Sequence, residues 1–139
     1  MANPVNLDQI AAVHAQQMVA NVKKDATDRK KAIETLERLA TKSLGVLQEQ
    51  GVYALLLFLF SRSSEEEKLA PIIRCQLCQA LSFFPSLAIG SMPDTNNPQK
   101  LLDFFSTQVA ENLDTLFLVR DLYEQTLIYA RFGAKAAKE

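Results

Sequence analysis

The sequence predicts an all-α fold: a compact bundle of about six helices forming a single helical domain over residues 1–139. Three observations predict it. Apolar residues recur at helical spacing along most of the chain, with no strand-type alternation. The punctuation marks helix ends, and no hairpin dipeptide of the Asn-Gly kind occurs. Hydrophobic residues make up 48% of the 139, enough to bury a core without disulfide or metal staples. No internal repeat is visible.

The first helix is expected from about Leu7 to Lys24, started by Asn6 or Asp8 as N-cap, with Ile10, Val13 and Ala20 on its apolar side. KKDATDRKK is a polar break. Thr27 or Asp28 caps a second helix that continues to about Gln50, and Gly51 marks a junction. From Val52 to Phe60 no side chain is polar except the Tyr53 hydroxyl. A helix apolar on every side belongs in the middle of a bundle, so this rod is expected at the centre, wrapped by helices on both sides. At about 25 cal/mol per Å² its burial gives on the order of 15 kcal/mol gross, most of which conformational entropy takes back.

Ser61 to Ser64 reads as a turn, and Ser63 or Ser64 followed three residues on by a glutamate fits a capping box. Pro71 suits the first turn of the helix that follows, which runs to about Phe84. FPSLAIGSMPDTNNP is the one loop-like tract, with three prolines, a glycine and two asparagines. Asn97 and Pro98 read as N-cap and first residue of a helix to about Ala110. A last helix from about Asn112 to Arg131 ends near Gly133.

With 15 basic and 16 acidic residues the formal net charge is −1, so net charge gives no argument for nucleic-acid binding. The start, MANPVNLDQI, lacks the basic and apolar regions of a signal peptide. The apolar tract is about half the roughly 20 residues needed to span a bilayer, so no membrane partner is expected. Two cysteines and no export signal point to the reducing cytoplasm.

Catalytic and metal-binding chemistry find little support. Cys75 and Cys78 form a C-x-x-C within RCQLCQAL and share a helix face, but a zinc site needs two more ligands. The only histidine, His14, is far away in sequence, and a redox motif needs a preceding strand. Buried core cysteines are the simpler reading. SSEEEK reads as helix-start acids favoured by the macrodipole. The four glycines are scattered singly, so no phosphate loop is present. No enzyme activity, cofactor or metal is expected.

The basic residues form stripes. On the second helix Lys31, Arg38 and Lys42 fall within about 40° of one another, opposite Ile33, Leu36, Ala40 and Leu47. On the last helix Arg120 and Arg131 share a stripe, which Lys135 and Lys138 join if the helix persists past Gly133. Such stripes can track a phosphate backbone without reading bases. Glu34, Glu49 and Glu124 sit in or beside them, so a plain solvated face is the competing reading.

LGVLQEQGVYALLLFLFSRS, together with LVRDLYEQTLIYARFGAKAAKE at the far end, resembles the helical small subunit of type III-B (Cmr-type) CRISPR effector complexes. In that family a short helix ends in a polar residue plus glycine, and an apolar helix follows at once. The matching positions are Gly51, Val52, Leu55 or nearby Ala54, Phe58, Leu59 and Ser61. The family's last helix closes on an aromatic, a basic residue, Phe and a small residue, matched by Tyr129, Arg131, Phe132 and Gly133 or Ala134.

The resemblance implies a non-catalytic subunit of a cytoplasmic ribonucleoprotein for antiviral defence. Its partners would be other CRISPR effector subunits, further copies of itself stacked head to tail, and the backbones of guide RNA and target RNA. Lys31, Arg38, Lys42, Arg120 and Arg131 are the residues expected to meet RNA. Two other readings stand beside it. One is a helical protein–protein adaptor or self-assembling bundle with no nucleic-acid role, suggested by the balanced charge and the many phenylalanines. The other is a small enzyme or metal sensor using Cys75, Cys78 and His14.

Overall fold

The computed structural model describes residues 6–84 and 93–138, with the backbone alone for Phe83. Among these residues the chain forms six α-helices and no strand: α1 (Leu7–Asp25), α2 (Arg29–Gln50), α3 (Val52–Phe60), α4 (Ser64–Ala80), α5 (Pro98–Phe104) and α6 (Leu113–Ala136). A 3-10 turn, Leu81–Phe83, prolongs α4, and a π-helical turn, Phe105–Val109, prolongs α5. The expected all-α bundle is therefore what the chain builds. Much of the loop-like tract, residues 85–92, lies outside the described residues.

Helix starts follow local chemistry. Asn6, Asp28, Asn97 and Asn112 each have extended backbone, and each side-chain oxygen accepts from the N–H three residues on. That satisfies one donor the first turn leaves open.

Three boundaries differ from expectation. The capping box before α4 does not form. Ser63 is the N-cap but its hydroxyl bonds no first-turn N–H, and the Glu66 carboxylate that should reciprocate is held by Lys42 and Arg62. Pro71 lies inside α4 rather than in its first turn. It has no N–H to offer the Glu67 carbonyl, and the burial of Ala70 and Ile73 beside it holds the helix together. Gly133 does not end α6, which continues to Ala136. It instead leaves room for α1: a Cβ there would lie 3.4 Å from Val19 Cγ2.

Helices α2 and α6 run antiparallel. At one end Arg120 Nη2 donates to the Gln48 carbonyl at 2.8 Å, and Gln48 Nε2 donates to Glu124 Oε2 at 3.0 Å. At the other end Lys138 pairs with Glu37. Helix α1 also packs along α6, and α4 packs on both α1 and α2. Met18, Leu36, Leu39, Ile73, Leu77, Leu122 and Leu127 are wholly buried between them. Tyr123 joins this core, its ring 6.4 Å from that of Phe105 and its hydroxyl donating to the Leu77 carbonyl at 2.9 Å. The bond gives a fully buried phenol its partner.

The rod from Val52 to Phe60 is one-sided rather than wrapped. Val52, Leu55, Leu56 and Leu59 are buried, while Tyr53 and Leu57 remain nearly half exposed. The middle of the bundle belongs to α6, whose residues Val119, Leu122, Tyr123, Leu127, Ala130 and Ala134 are wholly buried. Beneath α3, Arg74 spans to the next turn. Its guanidinium donates to the Leu59 and Thr95 carbonyls and to Asn96 Oδ1 at 3.1–3.3 Å and lies 4.1 Å from the Phe60 ring centre.

Gly51 sets the corner between α2 and α3, with φ +98° and ψ −174°, a conformation open almost only to glycine. Nothing lies within 4 Å of a Cβ built there, so the cost of a side chain is confined to the backbone. Gly51→Ala is expected to destabilise the protein by about 1–3 kcal/mol, read as a lower urea midpoint at unchanged m-value. An unchanged midpoint would show that the corner accepts another conformation.

Candidate nucleic-acid interface

Lys31, Arg38 and Lys42 do share one face of α2, as their spacing predicts. That face meets the start of α4, and the ridge is engaged there. Lys31 Nζ lies 3.6 Å from Glu65 Oε1. Lys42 Nζ lies 2.9 Å and Arg38 Nε 3.7 Å from Glu66 Oε2. The expectation of a free basic ridge is corrected to this extent: each of its three cations already has a carboxylate partner. All three remain about half exposed, with side-chain exposures of 62%, 54% and 47%, so they stay within reach of a ligand.

A fourth cation completes the cluster. Arg62, in the turn between α3 and α4, places Nη1 3.3 Å from Glu66 Oε1. It is held firmly. Its Nε donates to the Phe58 carbonyl at 3.0 Å, and its guanidinium stacks over the Phe58 ring at 3.7 Å. Burial by itself would raise the Glu66 pKa. The hydrogen bonds and charges of Lys42 and Arg62 outweigh it and hold the carboxyl below its usual range. Four cations thus face two carboxylates.

The α6 stripe is split by its duties. Arg120 caps the end of α2 through the Gln48 carbonyl, which places a cation at the negative end of a helix. Arg131 is exposed, 5.7 Å from the Phe132 ring centre. The helix does persist past Gly133, and Lys135 is exposed on it, whereas Lys138 is taken by Glu37. The five residues expected to meet RNA therefore do not form one surface. Three lie against α4, one closes the α2–α6 corner, and Arg131 stands three turns of α6 away.

Sequence reasoning missed two features. Arg62 was legible as an i, i+4 partner of Glu66 but sat outside the helical wheels. The polar break KKDATDRKK places Lys24, Arg29 and Lys30 on the surface of the α1–α2 corner, with Lys23 half-buried beside them. This corner borders a hollow of about 530 Å³ whose lining includes Val22, Lys31, Ala32, Glu65, Leu69 and Ile72.

The proposed thiol and imidazole chemistry fares differently. His14 is buried, and its Nδ1 lies 2.8 Å from Gln76 Oε1. The fold thus brings it onto the very helix that carries Cys75 and Cys78, although it is remote in sequence. Burial, together with the neighbouring Cys75, pushes the Cys78 thiol up to about 12, which disfavours the thiolate that a nucleophile or metal ligand needs. Among the described residues no group of three or more His, Cys, Asp or Glu side chains is placed to hold a metal ion. None of the described helices is long and apolar enough to cross a membrane.

The sign of the Glu66 effect on stability follows from its lowered pKa. Its contribution is complete above the unfolded value, about 4.3, and is lost as pH falls through the lower folded value. Wild-type and Glu66→Gln proteins are therefore expected to differ in melting temperature at neutral pH and to converge in acid, once the pH has fallen through the lowered folded value. A difference that persists undiminished in acid would contradict the assignment. Comparisons of the chain with protein-family models, with curated proteins and with solved structures find no match.

Proposed function

We propose that this protein is a non-catalytic helical subunit of a type III CRISPR ribonucleoprotein, stacking with further copies and touching guide and target RNA through backbone phosphates. The reading begins with the tracts around Gly51–Ser61 and Tyr129–Ala134. The observation that supports it best is the pair of separate apolar faces on the molecule. Near the start of α6, Leu113, Phe117 and Leu118 are exposed, as are Tyr53 and Leu57 on neighbouring α3. Near the end of α6, Phe132 is exposed. Beside it is a hollow of about 570 Å³ between α1 and α6, lined by Ala12, Ala15, Val19, Ala20, Tyr129 and Phe132.

Phe117 and Phe132 are fifteen positions apart on one helix, about 22 Å at 1.5 Å per residue. Two distinct faces of this kind suit a head-to-tail contact, which need not close into a ring. Charged residues of both signs flank the two faces, with acids in excess at the first (Glu111, Asp114 and Asp121 beside Arg120) and bases in excess at the second (Lys23, Arg131 and Lys135 beside Asp8).

A second reading, a helical adaptor or self-assembling bundle without a nucleic-acid role, draws on the ion pairs that engage the α2 ridge. Filter binding with single-stranded and duplex RNA separates the two, since salt-sensitive binding contradicts the adaptor. Isolation from the source cell is expected to bring down RNA and large partner subunits. Recovery as a clean, RNA-free monomer would contradict the CRISPR reading.

The stacking geometry has its own test. Wild-type protein is expected to show concentration-dependent assembly in sedimentation velocity, and Phe117→Asp or Phe132→Asp to reduce it strongly. A mixture of the two variants retains one intact pair of faces and should stop at a dimer. Assembly unaffected by either variant would exclude these faces.

A further inference from the structure

We infer that Arg38, Lys42 and Arg62 form a binding site for phosphate oxyanions, and that Glu66 fills this site in the free protein and must be displaced before a polyanion binds. The inference rests on the reading that the α2 ridge meets an RNA backbone. It adds a binding residue, Arg62, and an internal competitor, Glu66.

The geometry carries it in three steps. First, three cations from two parts of the chain converge on one carboxylate, at 2.9, 3.3 and 3.7 Å. A single carboxylate neutralises one of them, so a surplus of positive charge surrounds it. Successive phosphates of a nucleic-acid strand can neutralise several cations at once. Second, the cluster opens to solvent along its outer edge, while Arg62 and Glu66 at its centre keep only 23% and 11% of their side-chain surface exposed. Arg38 and Lys42 keep about half of their side-chain surface in solvent, and Lys31 with Glu65 extends the same row.

Third, Arg62 does not depend on Glu66 for its position. Its contacts with the Phe58 ring and carbonyl, and of its Nη2 with Ser61 Oγ at 3.2 Å, fix the guanidinium independently. It therefore keeps Nη1 directed at the oxyanion position whichever anion occupies it, and a preorganised guanidinium suits phosphate oxygens. Glu66 is held at this position through its carboxylate oxygens by Arg38, Lys42 and Arg62, so rotation about its side-chain bonds moves the carboxylate out once another anion takes those cations.

The test compares wild type with Glu66→Gln in fluorescence anisotropy with a labelled RNA duplex and, separately, in isothermal titration calorimetry with tripolyphosphate. Removing an internal competitor should strengthen binding. Glu66→Gln is expected to bind the duplex about three- to tenfold more tightly at low salt, with a log K against log salt slope steeper by about one. Adding Arg62→Gln should cancel the gain. Binding by folded Glu66→Gln that is no tighter than wild type overturns the inference.

Should Glu66→Gln fail to fold, Arg62→Gln in the otherwise native chain decides. Weaker RNA binding supports the site, and unchanged binding overturns it. RNA binding indifferent to Glu66 and Arg62 overturns this site and leaves the RNA-contacting reading standing. Arg62-dependent tripolyphosphate binding with no affinity for RNA keeps the site and overturns that reading.

Discussion

A nine-residue helix with no polar face has to be secured at its ends, and here both ends are secured by something other than its own side chains. At the front, Gly51 takes a backbone conformation strained for any other residue and turns the chain sharply out of α2. At the back, Arg62 donates to the Phe58 carbonyl in the last turn of α3 and reaches on to Glu66 in the first turn of α4. Glu66 in turn binds Arg38 and Lys42 of α2. One largely buried carboxylate thus closes a loop of contacts among α2, α3 and α4. Such a group is costly to bury alone and is kept charged by its partners.

The same junction decides what the outer surface can do. A row of lysine and arginine on a helical wheel suggests a free electrostatic track. In the folded protein that track is already in use, though incompletely, because cations outnumber carboxylates along it. Electrostatic surfaces of this kind bind polyanions by exchange of partners rather than by simple addition, and affinity then depends on how tightly the internal partner is held. The exposed apolar faces at the two ends of α6 are a separate feature, the one on which the proposed contact between copies rests.

The sequence made the helices legible for a clear reason. Asn and Asp caps, a helix-starting proline at Pro98 and a junction glycine act within a few residues of where they sit, so Asn6, Asp28, Gly51, Asn97 and Asn112 fall where local rules place them. What escaped depends on partners remote in sequence. Pro71 is tolerated mid-helix because its neighbours are buried, and Gly133 is passed through because α1 approaches there. The capping box lost its glutamate to cations on another helix. The sidedness of α3 could not be read from a segment with no polar face to point outward. Of the candidate interface, the α2 stripe was legible as a stripe, while its occupancy by Glu65 and Glu66 required knowing that α4 begins beside it.

The central claim is that Glu66 is the resident anion of the α2 ridge, and a double-mutant cycle on Lys42 and Glu66 by chemical denaturation tests it most directly. The account predicts a coupling free energy of about 1 kcal/mol or more, above what an exposed pair supplies. Additive losses, with no coupling between the two positions, would contradict it.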